Sequence, residues 1–282
     1  MTILYLLLPV LILCLAYLCC VSPGHRKLPE NLCRNYAHRG LHDDRTPENS
    51  LAAFEAAAAS GYGIELDIQL SRDGEVVVFH DALLERMTGA AGKVCEYTLA
   101  ELKNLALNGT DQKIPTLREV LDTVDGRVPL LVELKGESTD TAVCPAADSI
   151  LRDYKGAYLV ESFNPLLLRW YKKNRPDVFR GQLTTNLISG MGKTARNRLL
   201  DSLLLNAVTR PDVIAYDIRF PNRFPLRLCI GFFRAHRFVW TIHSEDEYKL
   251  AGEQKAFAIF EQFCPPTAPV QTPDPSQGGM TK

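Results

Sequence analysis

Nine short apolar runs alternate with helical stretches along most of the chain, and this alternation constrains the fold more than any other feature. Continuous apolar strands separated by helices are typical of a parallel sheet that is covered on both faces. About 230 residues, 33–264, hold the whole pattern, close to the roughly 250 of a typical (β/α)8 barrel. We therefore predict an α/β fold, a TIM-type (β/α)8 barrel. The apolar runs are residues 33–37, 63–70, 76–79, 129–134, 157–161, 180–183, 213–217, 238–242 and 256–260.

The first 23 residues carry no charged side chain and consist largely of Leu, Ile, Val, Tyr and Cys. A helix that crosses a bilayer needs about 20 apolar residues, so residues 1–23 are predicted to form one retained transmembrane helix. A cleaved signal peptide is the alternative, but its charged n-region and a small-x-small site before Pro23 are missing. The basic run His25-Arg26-Lys27 follows the apolar segment. The positive-inside rule therefore predicts a single-pass membrane protein with its main domain in the cytoplasm.

The rest of the chain divides where its composition changes. Residues 24–32 combine Pro and Gly with polar side chains and are predicted to be a linker, and residues 33–264 hold the barrel. Residues 265–282 are predicted to be a disordered tail, because Pro, Thr, Gln and Gly dominate there without apolar periodicity. The stretch between Asp81 and Pro115 is predicted to be a small insertion over the barrel mouth, after the second barrel strand.

Capping signals predict where the first helix of the barrel lies. Thr46 is predicted to cap it, Pro47 suits its first turn and Glu48 complements its dipole. Gly61 is predicted to end it. The residues between them repeat apolar side chains at helical spacing, so one face of this helix is expected to pack on the barrel.

The composition excludes some classes of function. The 282 residues carry a formal net charge of -1, so the basic excess of a nucleic-acid-binding protein is missing and no nucleic-acid partner is predicted. Hydrophobic residues make up 46% of the chain and charged residues 23%, which favours a globular domain over a disordered or multi-span membrane protein. Of the eight cysteines, three lie in the apolar N-terminal segment and five lack paired spacing, which indicates reduced thiols.

Four polar clusters stand at or near the ends of apolar runs. In a parallel βα barrel the carboxyl ends of the strands meet at one mouth, so these clusters are predicted to form one functional site. Residues two apart in a strand project to the same face, so two of the clusters would each aim two charged groups at one place. The clusters are His38-Arg39-Gly40, Glu65-x-Asp67, His80-Asp81 and Glu133-x-Lys135.

Three of these residues are candidate metal ligands. Glu65, Asp67 and Glu133 offer the hard oxygen atoms that Mg²⁺ or Ca²⁺ prefers, and no soft ligand is nearby in the sequence. The alternative is ion pairing with Arg39 and Lys135, but three acids bring more negative charge than two cations cancel. A bound divalent cation is therefore predicted.

The remaining polar residues suit chemistry on a phosphodiester. His38 and His80 are candidates for a general acid and a general base, although a lone histidine is more often a structural residue. Arg39 offers a planar fork that matches phosphate oxygens, and Lys135 offers a point charge. A small molecule that carries a phosphate is the predicted ligand.

Together these residues resemble the glycerophosphodiester phosphodiesterase family of the phospholipase C-like phosphodiesterase superfamily. A single His-Arg-Gly or His-Asp would mean little, but nine motifs and the spacing between them fit the family over nearly the whole predicted barrel. They are His38-Arg39-Gly40, Pro47-Glu48-Asn49-Ser50, Glu65-Leu66-Asp67-Ile68, Asp73-Gly74, His80-Asp81, Ile114-Pro115-Thr116-Leu117, Glu133-Leu134-Lys135, Ser162-Phe163 and Trp240-Thr241.

The resemblance implies an enzyme that hydrolyses glycerophosphodiesters to sn-glycerol 3-phosphate and an alcohol with a divalent cation, Mg²⁺ or Ca²⁺. It implies that His38 and His80 form the acid–base pair and that the three acids bind the metal. Arg39 and Lys135 are implied to hold the phosphate. Two rival functions stay open: a lysophospholipase D-type phosphodiesterase, which a membrane anchor would favour, and a catalytically silent barrel that binds phosphate-bearing ligands.

Some residues around the site are implied only by the resemblance. Glu48 and Asn49 resemble residues that support the site, and Trp240 resembles an apolar wall for the glycerol, with barrel packing as the alternative. The chain also departs from the family pattern. His243 stands where many relatives have Asn or Asp, and Phe260-Glu261 stands where the last strand usually ends in Thr-Asp. These departures leave the selectivity for the released alcohol open.

Overall fold

Eight parallel strands close into a barrel. The structure is a computed structural model that describes residues 2–136 and 139–267, with side chains from residue 7 onwards apart from Met191. The strands are β1 (Tyr36–Ala37), β2 (Gly63–Leu70), β3 (Val76–Val78), β4 (Leu130–Leu134), β5 (Tyr158–Ser162), β6 (Phe179–Thr184), β7 (Val213–Asp217), β8 (His236–Ile242) and β9 (Phe257–Phe260). All except β3 pair in parallel, and β1 closes the barrel by pairing with both β2 and β9. The predicted TIM-type barrel is confirmed.

Helices surround the barrel and fill the insertion. A π-helix, Leu228–Phe232, continues α11, and the turns Glu30–Leu32 and Val94–Glu96 are 3₁₀-helices. The α-helices are α1 (Thr2–Val21), α2 (Leu51–Ala59), α3 (Glu85–Thr88), α4 (Leu99–Leu102), α5 (Leu117–Val124), α6 (Val143–Leu151), α7 (Pro165–Asn174), α8 (Leu187–Met191), α9 (Ala195–Asp201), α10 (Asn206–Thr209), α11 (Phe224–Arg227) and α12 (Glu245–Glu253).

The strand β3 is not part of the barrel. It pairs antiparallel with β2, with Ile68 opposite Val78 and Leu70 opposite Val76. Only residues 71–75 join the two strands, whereas a parallel connection needs a crossover of a dozen or more residues. The short link therefore turns the chain back as a hairpin. Beyond β3, the insertion packs around its own apolar cluster, which includes Phe79, Leu84, Met87, Leu102 and Ile114.

The helix α2 begins later than its capping signals indicate. It begins at Leu51, and Ser50 caps it by accepting a hydrogen bond from the Ala53 amide at 3.2 Å. The prediction of Thr46 as the cap was wrong because the chain turns between Thr46 and Leu51. Asn49 has a φ of 55°, in the left-handed region, which is incompatible with regular helix geometry. The helix ends at Ala59, just before Gly61, which has a φ of 78°.

The largest apolar cluster lies between the barrel and its helices, and a second cluster fills the barrel interior. The interior cluster contains Tyr36, Leu131, Leu159, Leu183 and Phe238, all buried. These side chains fill the interior of the barrel below its mouth, which leaves the carboxyl ends of the strands as the place where an open site can form.

Segment 24–32 crosses the amino end of the barrel. The Arg26 guanidinium donates to Asp212, just before β7, at 2.8 and 2.5 Å, and to the Val178 carbonyl, just before β6, at 2.9 Å. The Leu28 amide is 3.1 Å from Nε2 of His236, where β8 begins. The chain between α1 and the barrel is therefore packed against the amino ends of three strands.

The transmembrane prediction for residues 1–23 is not supported. The segment is helical over Thr2–Val21. Within residues 2–136 and 139–267, however, we find no helix whose described length and hydropathy suffice for crossing a bilayer. Met1 and most of the predicted tail, from residue 268 onwards, lie outside the described residues.

Candidate active site

Three buried carboxylates meet at the carboxyl ends of β2 and β4. Glu65 and Asp67 lie two residues apart on β2 and project to the same face, and Glu133 on β4 is the register partner of Asp67. One oxygen from each of the three lies within 4.8 Å of the others. The sequence prediction that these acids converge agrees with their position in the barrel.

Two cations partly compensate the carboxylates. The Lys135 ammonium, just after β4, lies 2.8 Å from Asp67 Oδ1 and 2.8 Å from Glu133 Oε2. The Arg39 guanidinium Nε lies 3.5 Å from Asp67 Oδ2. Burial favours the neutral form of Lys135, but the two carboxylates outweigh it and raise the pKa of Lys135 above its usual value.

The compensation leaves negative charge in excess. Burial, with the charges of Asp67 and Glu133, raises the pKa of Glu65 well above its usual value. Burial also raises the pKa of Glu133 to about 7, although Lys135 opposes the change. The pKa of Asp67 falls instead, because Lys135, His80 and Arg39 outweigh the effect of its burial. The site thus holds more carboxylates than its two cations can keep ionised.

A tight turn after β1 brings Arg39 to the carboxylates. Arg39 has a φ of 57° and Gly40 a φ of 83°, and the Arg39 amide donates to Glu65 Oε2 at 2.9 Å. A Cβ at Gly40 would lie 2.8 Å from the Ala53 side chain and 2.9 Å from its backbone carbon, so only glycine fits against α2. The His-Arg-Gly motif is therefore a backbone requirement as well as a chemical one.

Asn49 fixes the central carboxylate. Its side-chain amide donates to Asp67 Oδ2 at 2.8 Å, and its carbonyl oxygen lies 3.4 Å from the Asp67 amide. Asn49 can reach both atoms because its backbone adopts the left-handed conformation just before α2 begins. The structure thus places Asn49 beside a predicted metal ligand.

His38 directly follows β1 and lies against a carboxylate of the last barrel strand. Its Nδ1 lies 2.6 Å from Oε2 of Glu261, the residue after β9. Burial lowers the pKa of His38, and the hydrogen bond to Glu261 opposes the change. The contact fixes the ring and leaves Nε2 as the nitrogen for exchange of a proton with another group.

Glu261 is shared by three imidazoles. Its Oε1 lies 2.9 Å from Nε2 of His243, and its Oε2 lies 3.5 Å from Nε2 of His42 in addition to its contact with His38. Burial would raise the pKa of Glu261, but these hydrogen bonds and the charge of His38 lower it well below its usual value. Glu261 is therefore an ionised anchor for the His38 ring.

His80 is held in the same way, by the carboxylate of the next residue. Its Nδ1 lies 2.6 Å from Asp81 Oδ1, and the other oxygen of Asp81 accepts from Arg86 Nε at 2.5 Å. Burial lowers the pKa of His80, and the charge of Asp67 only partly opposes the change. The charge of Asp67 also partly opposes the lowering of the pKa of His38, so one carboxylate of the triad acts on both rings.

A row of ion pairs joins the His80 side of the site to the Arg39 side. Both oxygens of Glu48 accept from Arg86, at 2.7 and 2.9 Å, and Glu48 Oε1 also accepts from Arg39 Nη1 at 2.9 Å. Arg86 belongs to α3 in the insertion and binds Asp81 at its other side. Glu48 therefore lies between the two arginines, and the insertion contributes directly to the position of His80.

Trp240 lies on β8, where it packs on the interior apolar cluster. Its ring meets Phe163 edge-on with centroids 5.7 Å apart, and its buried indole N–H has no hydrogen-bond partner among the described residues. Both rings are only partly buried. They form an aromatic wall at the mouth, above the side chains that fill the barrel.

Three residues of the site were not predicted from the sequence. Glu261 directly follows the last apolar run. Polar residues at the ends of the other apolar runs were predicted to meet at the barrel mouth, and the same argument applies to Glu261. Arg86 carried no signal, because its partners Glu48 and Asp81 are distant from one another in sequence. Glu161 is an acid within the apolar run of β5; it is buried beside Glu133, and burial raises its pKa well above the usual value.

The donor set fits a hard divalent cation. All three candidate ligands are carboxylates, and they are buried, close together and in excess over the local positive charge. A cation bound by Glu65, Asp67 and Glu133 would relieve the repulsion that raises the pKa values of Glu65 and Glu133. With two carboxylate-bound imidazoles and two further cations, the site has the groups needed to bind a phosphate and to move protons.

Comparison with known proteins identifies similar barrels. Residues 38–260 match the model of the glycerophosphoryl diester phosphodiesterase family. The glycerophosphodiester phosphodiesterase of Caldanaerobacter subterraneus subsp. tengcongensis is 34% identical over 159 residues, which cover 52% of this chain and 65% of that protein. The chain thus spans somewhat less than two thirds of that relative.

Two solved structures are similar over most of the chain. One is a phosphodiesterase from Oleispira antarctica in complex with the product sn-glycerol 3-phosphate, with a TM-score of 0.66 and 26% identity over 81% of this chain and 92% of that one. The other is a glycerophosphodiester phosphodiesterase from Thermotoga maritima, with a TM-score of 0.63 and 26% identity over 84% and 96%.

Proposed function

Because this chain belongs to the glycerophosphoryl diester phosphodiesterase family, we propose that it hydrolyses glycerophosphodiesters to sn-glycerol 3-phosphate and an alcohol. One observation carries the proposal: the carboxylates of Glu65, Asp67 and Glu133 converge at the barrel mouth where the charge of Asp67 acts on two histidines. A phosphodiester needs charge compensation and two proton transfers, and this arrangement offers both.

Glu65, Asp67 and Glu133 would hold a divalent cation, for which we propose Mg²⁺ or Ca²⁺. When bound, the cation polarises a phosphoryl oxygen and stabilises the negative charge that develops in the transition state. Lys135 and Arg39 lie at the same carboxylates and would bind the remaining phosphate oxygens, Arg39 through its planar fork. Asn49 and Glu48 keep Asp67 and Arg39 in position.

His38 and His80 would transfer the protons. One ring takes the proton of the attacking oxygen as the new P–O bond forms, and the other gives a proton to the oxygen of the departing alcohol as the old P–O bond breaks. The attacking oxygen is that of water, or that of a glycerol hydroxyl, in which case water then opens the cyclic phosphate. Glu261 and Asp81 hold Nδ1 of each ring, so Nε2 is the reacting nitrogen in both. Trp240 and Phe163 would cover the apolar side of the glycerol.

A substrate comparison tests this function. The full chain with Mg²⁺ or Ca²⁺ is assayed on sn-glycero-3-phosphocholine and, separately, on lysophosphatidylcholine. Release of glycerol 3-phosphate from the soluble diester is expected. Faster release of choline from the lysolipid would favour the lysophospholipase D-type alternative. The exposed apolar side chains of α1 support this alternative, because they could contact a lipid substrate. A folded chain that cleaves neither diester would favour the silent phosphate-binding barrel.

For its location, we propose that the protein works at a membrane with its barrel on the cytoplasmic side. The uncharged first 23 residues and the basic run His25-Arg26-Lys27 support this location. Fractionation of cells that express the chain, followed by protease treatment of sealed membrane vesicles from each side, tests it.

The contact of Glu261 with His38 can be tested separately from its contact with His243. Glu261→Gln keeps the shape but removes the charge that favours the protonated form of His38, so the pKa of His38 should fall further. We expect kcat to fall roughly 10- to 100-fold through loss of ring orientation, and the limb of the pH profile of kcat/KM that belongs to His38 should move to lower pH.

His243→Ala is the matched control for Glu261→Gln. It removes a contact at Oε1 of Glu261 but leaves the Oε2 contact with His38. This variant should keep kcat and the pH profile near those of the parent protein. A pH profile that is unchanged in Glu261→Gln would contradict the proposed pairing with His38.

A further inference from the structure

The end of α1 lies parallel to the segment that joins β7 to β8. Tyr17 stacks on Phe224 with ring centroids 6.2 Å apart and an interplanar angle of 15°. Four residues later, the Val21 carbonyl accepts from Cys229 Sγ at 3.5 Å. His25 then meets Phe233 at 6.4 Å. The sequence numbers increase together in these three contacts, 17 with 224, 21 with 229 and 25 with 233, so the two segments run side by side in the same direction and descend along the barrel together.

Because the two segments share a direction, the first residues of α1 lie beyond the barrel mouth. Phe224 lies at the mouth, because the guanidinium of its neighbour Arg223 donates to Thr184 Oγ1, at the carboxyl end of β6, at 2.8 Å. Phe233 lies near the opposite end, three residues before β8 begins at His236. Since α1 descends from Tyr17 toward the amino end, the residues before Tyr17 continue past the mouth, and Leu7 lies roughly 15 Å along the helix from Tyr17 at 1.5 Å per residue.

The part of α1 beyond the mouth is apolar and exposed. Seven large apolar side chains there are between 52% and 69% exposed, and they occupy every side of the helix. A helix that is apolar all round is normally buried in protein or lipid, and an apolar surface this continuous marks a contact with another phase or partner. The side chains are Leu7, Leu8, Val10, Leu11, Ile12, Leu13 and Leu15.

The surface next to this helix is basic. Between Ile218 and Ser244 the sequence has no Asp or Glu but five arginines. Arg219 and Arg223 pair with acids and Arg237 is half-buried, whereas Arg227 and Arg234 are exposed. Arg227 is exposed on α11, one turn from the exposed ring of Phe224. An apolar face with cations beside it is complementary to a bilayer that contains anionic lipids, and the same cations would repel a second copy of this face.

We propose that the exposed part of α1 and Phe224 dock on an anionic lipid bilayer, so that the mouth of the barrel faces the lipid. The docking requires no helix that spans the bilayer. It rests on the proposed function in one respect, because the mouth is the active site only if that function is correct. The carboxylates and histidines of the site would then receive phosphodiesters from the membrane surface.

Binding of the full chain to vesicles tests the docking. Vesicles of phosphatidylcholine with phosphatidylglycerol are compared with vesicles of phosphatidylcholine alone in a sedimentation assay, and the mixed vesicles should bind more chain. Phe224→Ser should weaken binding to the mixed vesicles about tenfold, because the variant has no aromatic ring to bury in the lipid. Leu11→Gln, in the part of α1 beyond the mouth, should weaken binding by a similar factor.

Phe232→Ser is the matched control. Phe232 is 67% exposed and Phe224 65%, and both belong to the same helical segment, but Phe232 lies toward the amino end of the barrel beside Phe233. Binding by Phe232→Ser should stay within about twofold of the parent chain, since the ring does not reach the lipid. Equal losses in the two variants, or no loss in either, would overturn the proposed orientation.

Two further measurements separate the competing outcomes. A concentration-dependent dimer in light scattering that Phe224→Ser dissolves would overturn the proposal in favour of a second copy of this chain. Hydrolysis of soluble sn-glycero-3-phosphocholine without vesicles should be the same in the parent chain and in Phe224→Ser. Failure of both to cleave it would contradict the proposed function, whereas the vesicle assay would still decide the docking.

Discussion

Replacing His38 with Ala is expected to lower kcat about 10²- to 10⁴-fold, the usual contribution of a general acid or base. The ring is fixed by Glu261 at 2.6 Å and is only partly exposed, so its orientation at the mouth is set by this contact. KM should change much less than kcat, because the phosphate contacts proposed for Arg39 and Lys135 remain.

The measurement is steady-state hydrolysis of sn-glycero-3-phosphocholine, with circular dichroism to show that the variant is folded. His25→Ala is the control, since His25 lies at the other end of the barrel beside Phe233. It should leave kcat unchanged. Turnover of His38→Ala equal to that of the parent chain would remove His38 from the mechanism.

Asp67→Asn is expected to lower kcat by about 10³-fold or more, since a divalent cation contributes several kcal/mol of charge stabilisation and 1.36 kcal/mol is a factor of ten. Asp67 is the centre of the site: it contacts Lys135, Arg39 and Asn49 and completes the group with Glu65 and Glu133. Excess EDTA should lower the activity of the parent chain similarly, and added Mg²⁺ or Ca²⁺ should restore it.

Calorimetric titration with Mg²⁺ and with Ca²⁺ gives a second readout that does not depend on turnover. Asp67→Asn should bind both ions more weakly than the parent chain. Glu161→Gln is the matched control, because Glu161 is equally buried and lies beside Glu133, but burial holds its carboxyl toward the neutral form that Gln resembles. If Glu161→Gln weakens metal binding as much as Asp67→Asn, the three-carboxylate site is wrong.

The spacing of polar residues predicted that Glu65, Asp67 and Glu133 converge. Glu65 and Asp67 converge because side chains alternate along a strand, and Glu133 joins them because parallel strands end at the same mouth. Both rules are local or follow from the fold class. For that reason the convergence of the three acids beside Lys135 and Arg39 could be predicted from the sequence.

Other features depended on which segments meet. Arg86 lies between Glu48 and Asp81 only because the insertion folds back over the mouth. Glu261 binds His38 because β9 pairs with β1, at the two ends of the barrel sequence. The strand β3 was grouped with the barrel strands by its apolar composition, and only its short link to β2 makes it a hairpin.

The sequence by itself determined the barrel, through its apolar periodicity, and the identity of the charged groups at the mouth, through their place at strand ends. These depend on interactions between residues close in the chain or on a repeated pattern. Only the tertiary structure decided the partners of those groups and the course of α1 beside the segment that contains Phe224 and Phe233. The contacts of α1 with that segment, and of His38 with Glu261, join residues more than 200 positions apart, and their formation depends on how the whole chain packs.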